Sequence, residues 1–296
     1  MSSKGTHAVF AALCLIWGST WLGIKIGLAY LPPFAFAGFR FAVATIVLVP
    51  VVRFEHARMP REREAWYLML FLGIFQLAIP YGLVFWGEQY ISSGLAAVLY
   101  ATLPFFVSIF GHFIINERLT AVKVGGILSS FAGLVAIFWR DVLTQNIAFS
   151  TSFFGGIAVV VSTASFGMAN VVAKKYADRV DPSFNVLVQS MVCSIALSAL
   201  GVFLESGMPM DFTLAAVGAI LYLGVFGSAL AFVGLSWLFT KTTATNTSLL
   251  AFITPILALL LGWLVLGEAP DQSVSLGAVL ILAGVYLTVK PSGSLV

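Results

Sequence analysis

The chain has 296 residues, 60% of them apolar and only 9% charged, with a net charge of +3 and a mean hydropathy of +1.03. A soluble domain carries charge on roughly 25% of its residues, so this composition excludes one and leaves room for about ten membrane spans with short connections. Both cysteines, Cys14 and Cys193, lie inside apolar runs, where cysteine acts as a small core residue and no disulfide is expected. With no polybasic tail or low-complexity linker in the sequence, neither a soluble partner domain nor nucleic acid is expected; the partners expected are a small-molecule substrate and the lipid bilayer, for a chain acting as a monomer.

Apolar windows place helices at roughly 8–29, 33–53, 66–86, 93–115, 120–139, 153–175, 182–204, 213–238, 244–266 and 273–290, each long enough to cross a bilayer. The first contains Lys25 and runs past the ~7–15-residue core of a targeting peptide, so it reads as a span. Pro32-Pro33 and Asp181-Pro182 start the second and seventh helices, with proline where a missing N–H is harmless. Thr120 and Ser273 are expected to cap the fifth and tenth. Gly125, Ser129 and Gly133 form a small-residue stripe on the fifth helix, the kind of face on which helices approach closely in lipid.

With a cytoplasmic N-terminus, the inner side receives Lys4, Arg53, Arg58, Arg61, Arg63, Arg118, Lys123, Lys174, Lys175, Arg179, Lys241 and Lys290, and the outer side only Arg140. Both termini are therefore expected in the cytoplasm.

The chain repeats itself. Leu99, Pro104, Gly111 and Glu117 recur as Leu250, Pro255, Gly262 and Glu268, each 151 positions later. Leu70, Leu72, Gly73 and Trp86 match Leu221, Leu223, Gly224 and Trp237, and Gly126 and Gly133 match Gly277 and Gly284, at the same offset. Earlier in each half the offset is 149: Gly18, Lys25 and Pro33 match Gly167, Lys174 and Pro182. Residues 1–142 and 150–296 are thus expected to form two five-helix repeats. Five is odd, so the halves enter the membrane in opposite senses, an architecture used by transporters.

Trp17-Gly18-Ser19 with Lys25, Ser93-Gly94-Leu95-Ala96-Ala97 leading to Pro104, and Glu117-Arg118 before a Gly-rich fifth helix resemble the drug/metabolite transporter superfamily. The EamA-like group of ten-helix metabolite exporters is the nearest branch. The resemblance extends from about Ala8 to Val289 and rests on the order and duplication of the motifs. It implies an inner-membrane carrier for amino acids, aromatic ones included, or related small metabolites. Drug, sugar or nucleotide-type substrates are the alternative within the same fold. One departure is that Gly267-Glu268-Ala269 replaces Asn116-Glu117-Arg118, so Arg118 has no counterpart.

Candidate substrate contacts are Trp17, Tyr81, Tyr100, Phe166, Asn170, Phe232, Ser248 and Thr254. An aromatic wall with a few polar groups suits a small amphipathic ligand; lipid-facing aromatics are the competing reading. Asn170 lies one turn beyond Phe166 on the same face. Thr102, Thr245, Ser248 and Thr254 on the proline-bearing helices serve either a ligand or carbonyls freed by proline.

Lys25 and Arg40 fall within spans, and Glu88 closes the third helix toward the same side. A salt bridge from Glu88 to either cation would form part of an outer gate, with snorkelling the competing reading for Lys25. Pro104 and Pro255 are expected to kink the fourth and ninth helices at matching places and serve as hinges. Glu117 and Glu268 are read as capping the next helix or holding a turn. No carboxylate falls near mid-membrane, which favours downhill transport, while His112 keeps a proton route open. Of His7, His56 and His112, none has an HxxxH or HExxH partner, which disfavours a membrane-embedded enzyme. No cofactor or metal is expected.

Overall fold

Proline and short polar side chains decide where the spans begin. In the computed structural model, which describes residues 3–144, 150–239, 241 and 250–289, the second span, Pro33–Phe54, starts on proline. The seventh, Pro182–Leu204, does the same, and Asp181 Oδ1 accepts from Ser183 and Phe184 N–H. Thr120 Oγ1 accepts from Lys123 N–H at the start of the fifth, Ala121–Thr144. The tenth, Gln272–Val289, is capped by Asp271 rather than Ser273: Asp271 Oδ1 accepts from Val274 N–H at 2.8 Å. A carboxylate is the better acceptor for an N-terminal amide, which explains why the cap lies two residues before Ser273.

Among the described residues, nine helices are long and apolar enough to cross a membrane, and Leu250–Leu266 is a shorter apolar helix. The first span is Ser3–Leu28, the sixth Thr151–Lys175. The third and eighth each change pitch midway. In the third, Arg63–Leu72 and Ile79–Glu88 flank a π-helical segment, Gly73–Ala78. In the eighth, Leu214–Tyr222 and Ala231–Phe239 flank Leu223–Leu230. These segments fall at the 151-residue offset, since Gly73 corresponds to Gly224.

The fourth and ninth spans differ from expectation. The fourth is not one kinked helix but two, Ser93–Tyr100 and Leu103–Ile115, and Pro104 lies in the first turn of the second. A proline there removes an N–H that has no intrahelical partner anyway, so the break precedes it at Ala101-Thr102. Pro255 instead sits inside the unbroken Leu250–Leu266 helix. The matched prolines therefore occupy unmatched local structures.

The fifth and tenth spans pack along glycine. A Cβ on Gly126 would lie 2.6 Å from the carbonyl oxygen of Gly284, and one on Gly133 2.7 Å from that of Gly277. Ser129 Oγ donates to Leu280 O across the same seam. Gly125, expected on this stripe, has open space beside it. Because residue numbers rise on one helix as they fall on the other, the equivalents run antiparallel. A second equivalent pair joins the fourth span to the sixth and the ninth to the first: Gly167 faces Phe106 and Gly18 faces Leu257.

Candidate functional site

The interior where the second, third, fourth, sixth and eighth spans meet is built from rings. Phe36, Phe41 and Phe85 are fully buried there, with Tyr81, Tyr100, Phe166 and Phe232 packed around them. Tyr100 stands between Trp21, 5.4 Å away, and Phe166, 5.9 Å away, centroid to centroid. Four of the aromatic side chains named from the sequence thus meet. Trp17 does not: it packs with Leu13, Leu250 and Leu238 in a separate cluster. Trp21, one turn further along the same helix, takes the place expected of it. Their spacing of four residues puts both on adjacent turns, and only the neighbouring spans decide which one faces the chamber.

Arg40 enters this chamber from the second span and is 2% exposed. Its guanidinium carbon lies 4.7 Å from the Tyr81 ring centroid, 5.4 Å from Phe41 and 5.8 Å from Phe85. Nε donates to Ser228 Oγ at 3.0 Å, and Ser228 belongs to the π-helical segment of the eighth span. Nη1 is buried without a hydrogen-bond partner. A central charge costs about 2.5–3.5 kcal/mol on insertion scales. A desolvated cation–π contact returns about 2 kcal/mol. The rings and one hydroxyl therefore hold the cation without neutralising it.

The expected salt bridge is absent. Among the described residues, neither Lys25 nor Arg40 lies within 4.0 Å of the Glu88 carboxylate as an ion pair. Lys25 Nζ instead donates to the backbone carbonyls of Glu88 and Ile91, at 2.7 and 2.6 Å. These acceptors sit where the third helix ends and have no intrahelical N–H, so an ammonium is well placed on them. Glu88 is 0% exposed, and both of its carboxylate oxygens lack a hydrogen bond. Glu205, also buried, shows the usual arrangement: its oxygens accept from Phe34 and Ala35 N–H, each at 2.8 Å, capping the second span.

Polar groups from the sixth span meet the π-helical segment of the third. Asn170 Oδ1 accepts from Gln76 Nε2 at 2.7 Å, and Ser165 Oγ donates to Phe75 O at 2.7 Å. A π-turn leaves a carbonyl without its usual partner, and Ser165 supplies one. The Gln76 Oε1 atom is buried and unpartnered. Thr254 Oγ1 donates to Leu250 O in its own helix, and Thr102 likewise to Leu99 O, so both satisfy carbonyls. Ser248 lies outside the described residues. Ser228, Trp21 and Glu205 have roles that sequence reading missed. The only advance signal was that polar residues rarely sit in spans without a partner.

The repeated glutamates hold turns of the same form. Glu117 N–H donates to Gly111 O and Glu268 N–H to Gly262 O, both at 3.1 Å. The preceding residues, Asn116 and Gly267, have φ of 56° and 69°, a region open to glycine and tolerated by asparagine. The side chains then diverge. Glu268 Oε2 accepts from Ser93 N–H at 2.9 Å and Ser93 Oγ at 2.6 Å. It thereby caps the fourth span, not the helix that follows it. Glu117 Oε1 accepts from Lys174 Nζ at 2.6 Å, with Lys123 at 3.9 Å. The Lys174 hydrogen bond holds the Glu117 carboxyl below its ordinary pKa, against the opposing effect of partial burial.

A polytopic all-helical membrane protein with an aromatic chamber and an unpaired buried cation is the architecture of a small-molecule carrier. The chain belongs to the EamA-like transporter family, of the drug/metabolite transporter superfamily: the family profile matches residues 6–139 and again 153–290. It is 28% identical to the uncharacterized transporter YoaV of Bacillus subtilis, over 93% of this chain and 94% of that protein. It is 27% identical to protein PagO of Salmonella typhimurium, over 97% and 94%. A WAT1-related chloroplastic protein of Arabidopsis thaliana is 26% identical, over 94% of this chain and 68% of that one. One crystal structure superposes with a TM-score of 0.64 at 19% identity, over 97% of this chain and 96% of that one. That likeness concerns the fold alone.

Proposed function

We propose that this transporter is an inner-membrane carrier that exports amino acids, aromatic ones included, or closely related small metabolites, by alternating access. The observation that carries the reading is the meeting of Tyr81, Tyr100, Phe166 and Phe232 around one interior, with the Gln76–Asn170 pair beside it. Flat apolar walls with few polar groups match a side chain of benzyl size attached to a polar backbone. Residues 1–142 and 150–296 act as two inverted repeats in this reading, with both termini cytoplasmic and one chain sufficient. The antiparallel glycine contacts of the fifth and tenth spans and the double family match support it.

Counterflow in liposomes against a panel of amino acids, sugars and nucleotides tests the substrate class. Tyr100→Ala removes the ring between Trp21 and Phe166, and Asn170→Ala releases Gln76. Each is expected to lower amino-acid counterflow at least tenfold while the folded protein is recovered in normal yield. Wild-type counterflow in both variants would move the site elsewhere.

A further inference from the structure

Two ionisable side chains of opposite type, Arg40 and Glu88, lie buried in the same interior, and among the described residues neither has an ion-pair partner. Arg40 offers Nη1, and Glu88 offers both carboxylate oxygens. The charged groups around Glu88 are Lys25, Glu268 and Arg40. Lys25 is committed to two backbone carbonyls, and Glu268 is committed to Ser93. Around Arg40, Ser228 takes Nε and the rings take the guanidinium face. What remains is one open donor and one open carboxylate.

Their placement follows from a single helix face. Tyr81, Phe85 and Glu88 are spaced four and three residues apart on the helix Ile79–Glu88, so they point the same way. The Arg40 guanidinium lies over the first two, 4.7 and 5.8 Å from their centroids. Glu88 comes one turn later, about 5 Å further along the axis. An α-amino acid carries its carboxylate and ammonium on one carbon, about 3 Å apart. With a charge-assisted hydrogen bond of about 2.8 Å at each end, it spans roughly 8–9 Å. A gap of one to two helical turns accommodates that length.

We propose that Arg40 and Glu88 are the two ends of a zwitterion-binding site, Arg40 taking the carboxylate and Glu88 the ammonium of an α-amino acid. The assignment rests on the amino-acid reading above and specifies it. Arg40 is then a substrate-binding residue that Ser228 orients from the π-helical segment of the eighth span. Glu88 is its counterpart rather than half of a salt-bridged gate. The Tyr81–Phe85 face between them lies alongside the bound backbone, and Tyr100 and Phe166 receive the side chain. A site of this kind rejects ligands that lack one charge, because the matching protein group is left buried and unpaired.

The test uses wild-type protein in liposomes with labelled L-phenylalanine, competed by phenethylamine, which lacks the carboxylate, and by 3-phenylpropionate, which lacks the ammonium. Both analogues keep the ring. The expected result is competition at least 100-fold weaker than by unlabelled L-phenylalanine for each. Glu88→Gln is expected to narrow the discrimination against 3-phenylpropionate at least tenfold and leave that against phenethylamine in place. Arg40→Lys, which keeps the charge and loses the fork, is expected to weaken L-phenylalanine and 3-phenylpropionate together. Competition by either analogue within threefold of L-phenylalanine overturns the assignment without any variant, so misfolding of a substituted protein does not shield it. Wild-type selectivity in both variants overturns it as well. If the wild type exchanges no amino acid but does exchange another metabolite class, the amino-acid reading falls first and this assignment with it.

Discussion

Glu117 and Glu268 occupy equivalent positions in the two halves, end equivalent turns, and fold back over equivalent glycines, Gly111 and Gly262. Their partners nevertheless differ. Glu268 clamps the first turn of the fourth span through Ser93, while Glu117 reaches Lys174 of the sixth span. Lys25, the counterpart of Lys174, leaves Glu268 alone and closes on Glu88 O and Ile91 O instead. One sequence unit therefore supports two arrangements of the same acid and base. In an inverted repeat, exchange of the two arrangements between the halves exchanges which side is open. At the Lys25 end the ammonium ties the first span to the end of the third through two backbone carbonyls, and in the proposed cycle this is the closed end. The Lys174 end, with Lys174 68% and Glu117 33% exposed, is the open end in the same proposal.

That difference can be broken from either end, and the Lys25 end should respond most. Glu268→Gln replaces a charge-assisted cap worth about 1.5–3 kcal/mol with a neutral one worth about 0.5–1.5 kcal/mol, and the difference shifts the balance of states roughly 5- to 15-fold. A cysteine at Ala97, now 3% exposed, is expected to react with an impermeant maleimide from the outside roughly tenfold faster in that background. Unchanged labelling would mean that the cap is ornamental.

The prolines sharpen the same comparison. Pro255→Ala returns an N–H to the middle of Leu250–Leu266, where a proline costs about 3 kcal/mol. Exchange is expected to slow roughly tenfold as that helix stiffens. Pro104→Ala alters only the first turn after an existing break and is expected to stay within about twofold of wild type. Equal effects of the two on counterflow rates would show that the two prolines play equivalent parts in exchange.

The smallest effect belongs to Glu117→Gln. Its pair with Lys174 is partly solvated, and such pairs contribute about 0.2–1 kcal/mol, so accessibility at that end should change no more than about fivefold. The pH dependence has a definite sign. A carboxyl held below its ordinary value of 4.5 contributes fully above that value and loses its contribution as pH falls through the lowered one. Labelling of the wild type at the Lys174 end should be flat from about pH 8 to 5.5 and approach the Glu117→Gln behaviour only in stronger acid. A transition near neutral pH would contradict the ion pair as its source.

The sequence made some of this legible and hid the rest for physical reasons. Apolar runs, the 151-residue offset and the punctuation at Pro33 and Pro182 follow from local rules, and the spans lie where those rules put them. Gly126 meets Gly284 and Gly133 meets Gly277, a crosswise pairing of the 151-residue equivalents that the proposed inversion of the repeat accounts for. The π-helical segments at Gly73–Ala78 and Leu223–Leu230 leave no compositional trace, because they change the winding and not the residue types. The partner of a buried charge is equally hidden. Lys25, Arg40 and Glu88 were legible as costly residues on one side. That Lys25 prefers two terminal carbonyls, and that Arg40 and Glu88 stay apart, depends on distances set by spans far away in sequence.

The glycine seam between the fifth and tenth spans also has a consequence for how the chain is made. Gly126 leaves the ribosome 158 residues before Gly284, a wait of roughly 8–30 s at ordinary elongation rates. Until then the groove on the fifth span has only lipid to fill it, and Ser129 Oγ has no Leu280 carbonyl to meet. The first half therefore enters the bilayer as an unfinished surface, and the tenth span is the piece that completes it. Assembly is sequential by necessity, with the seam as its final step.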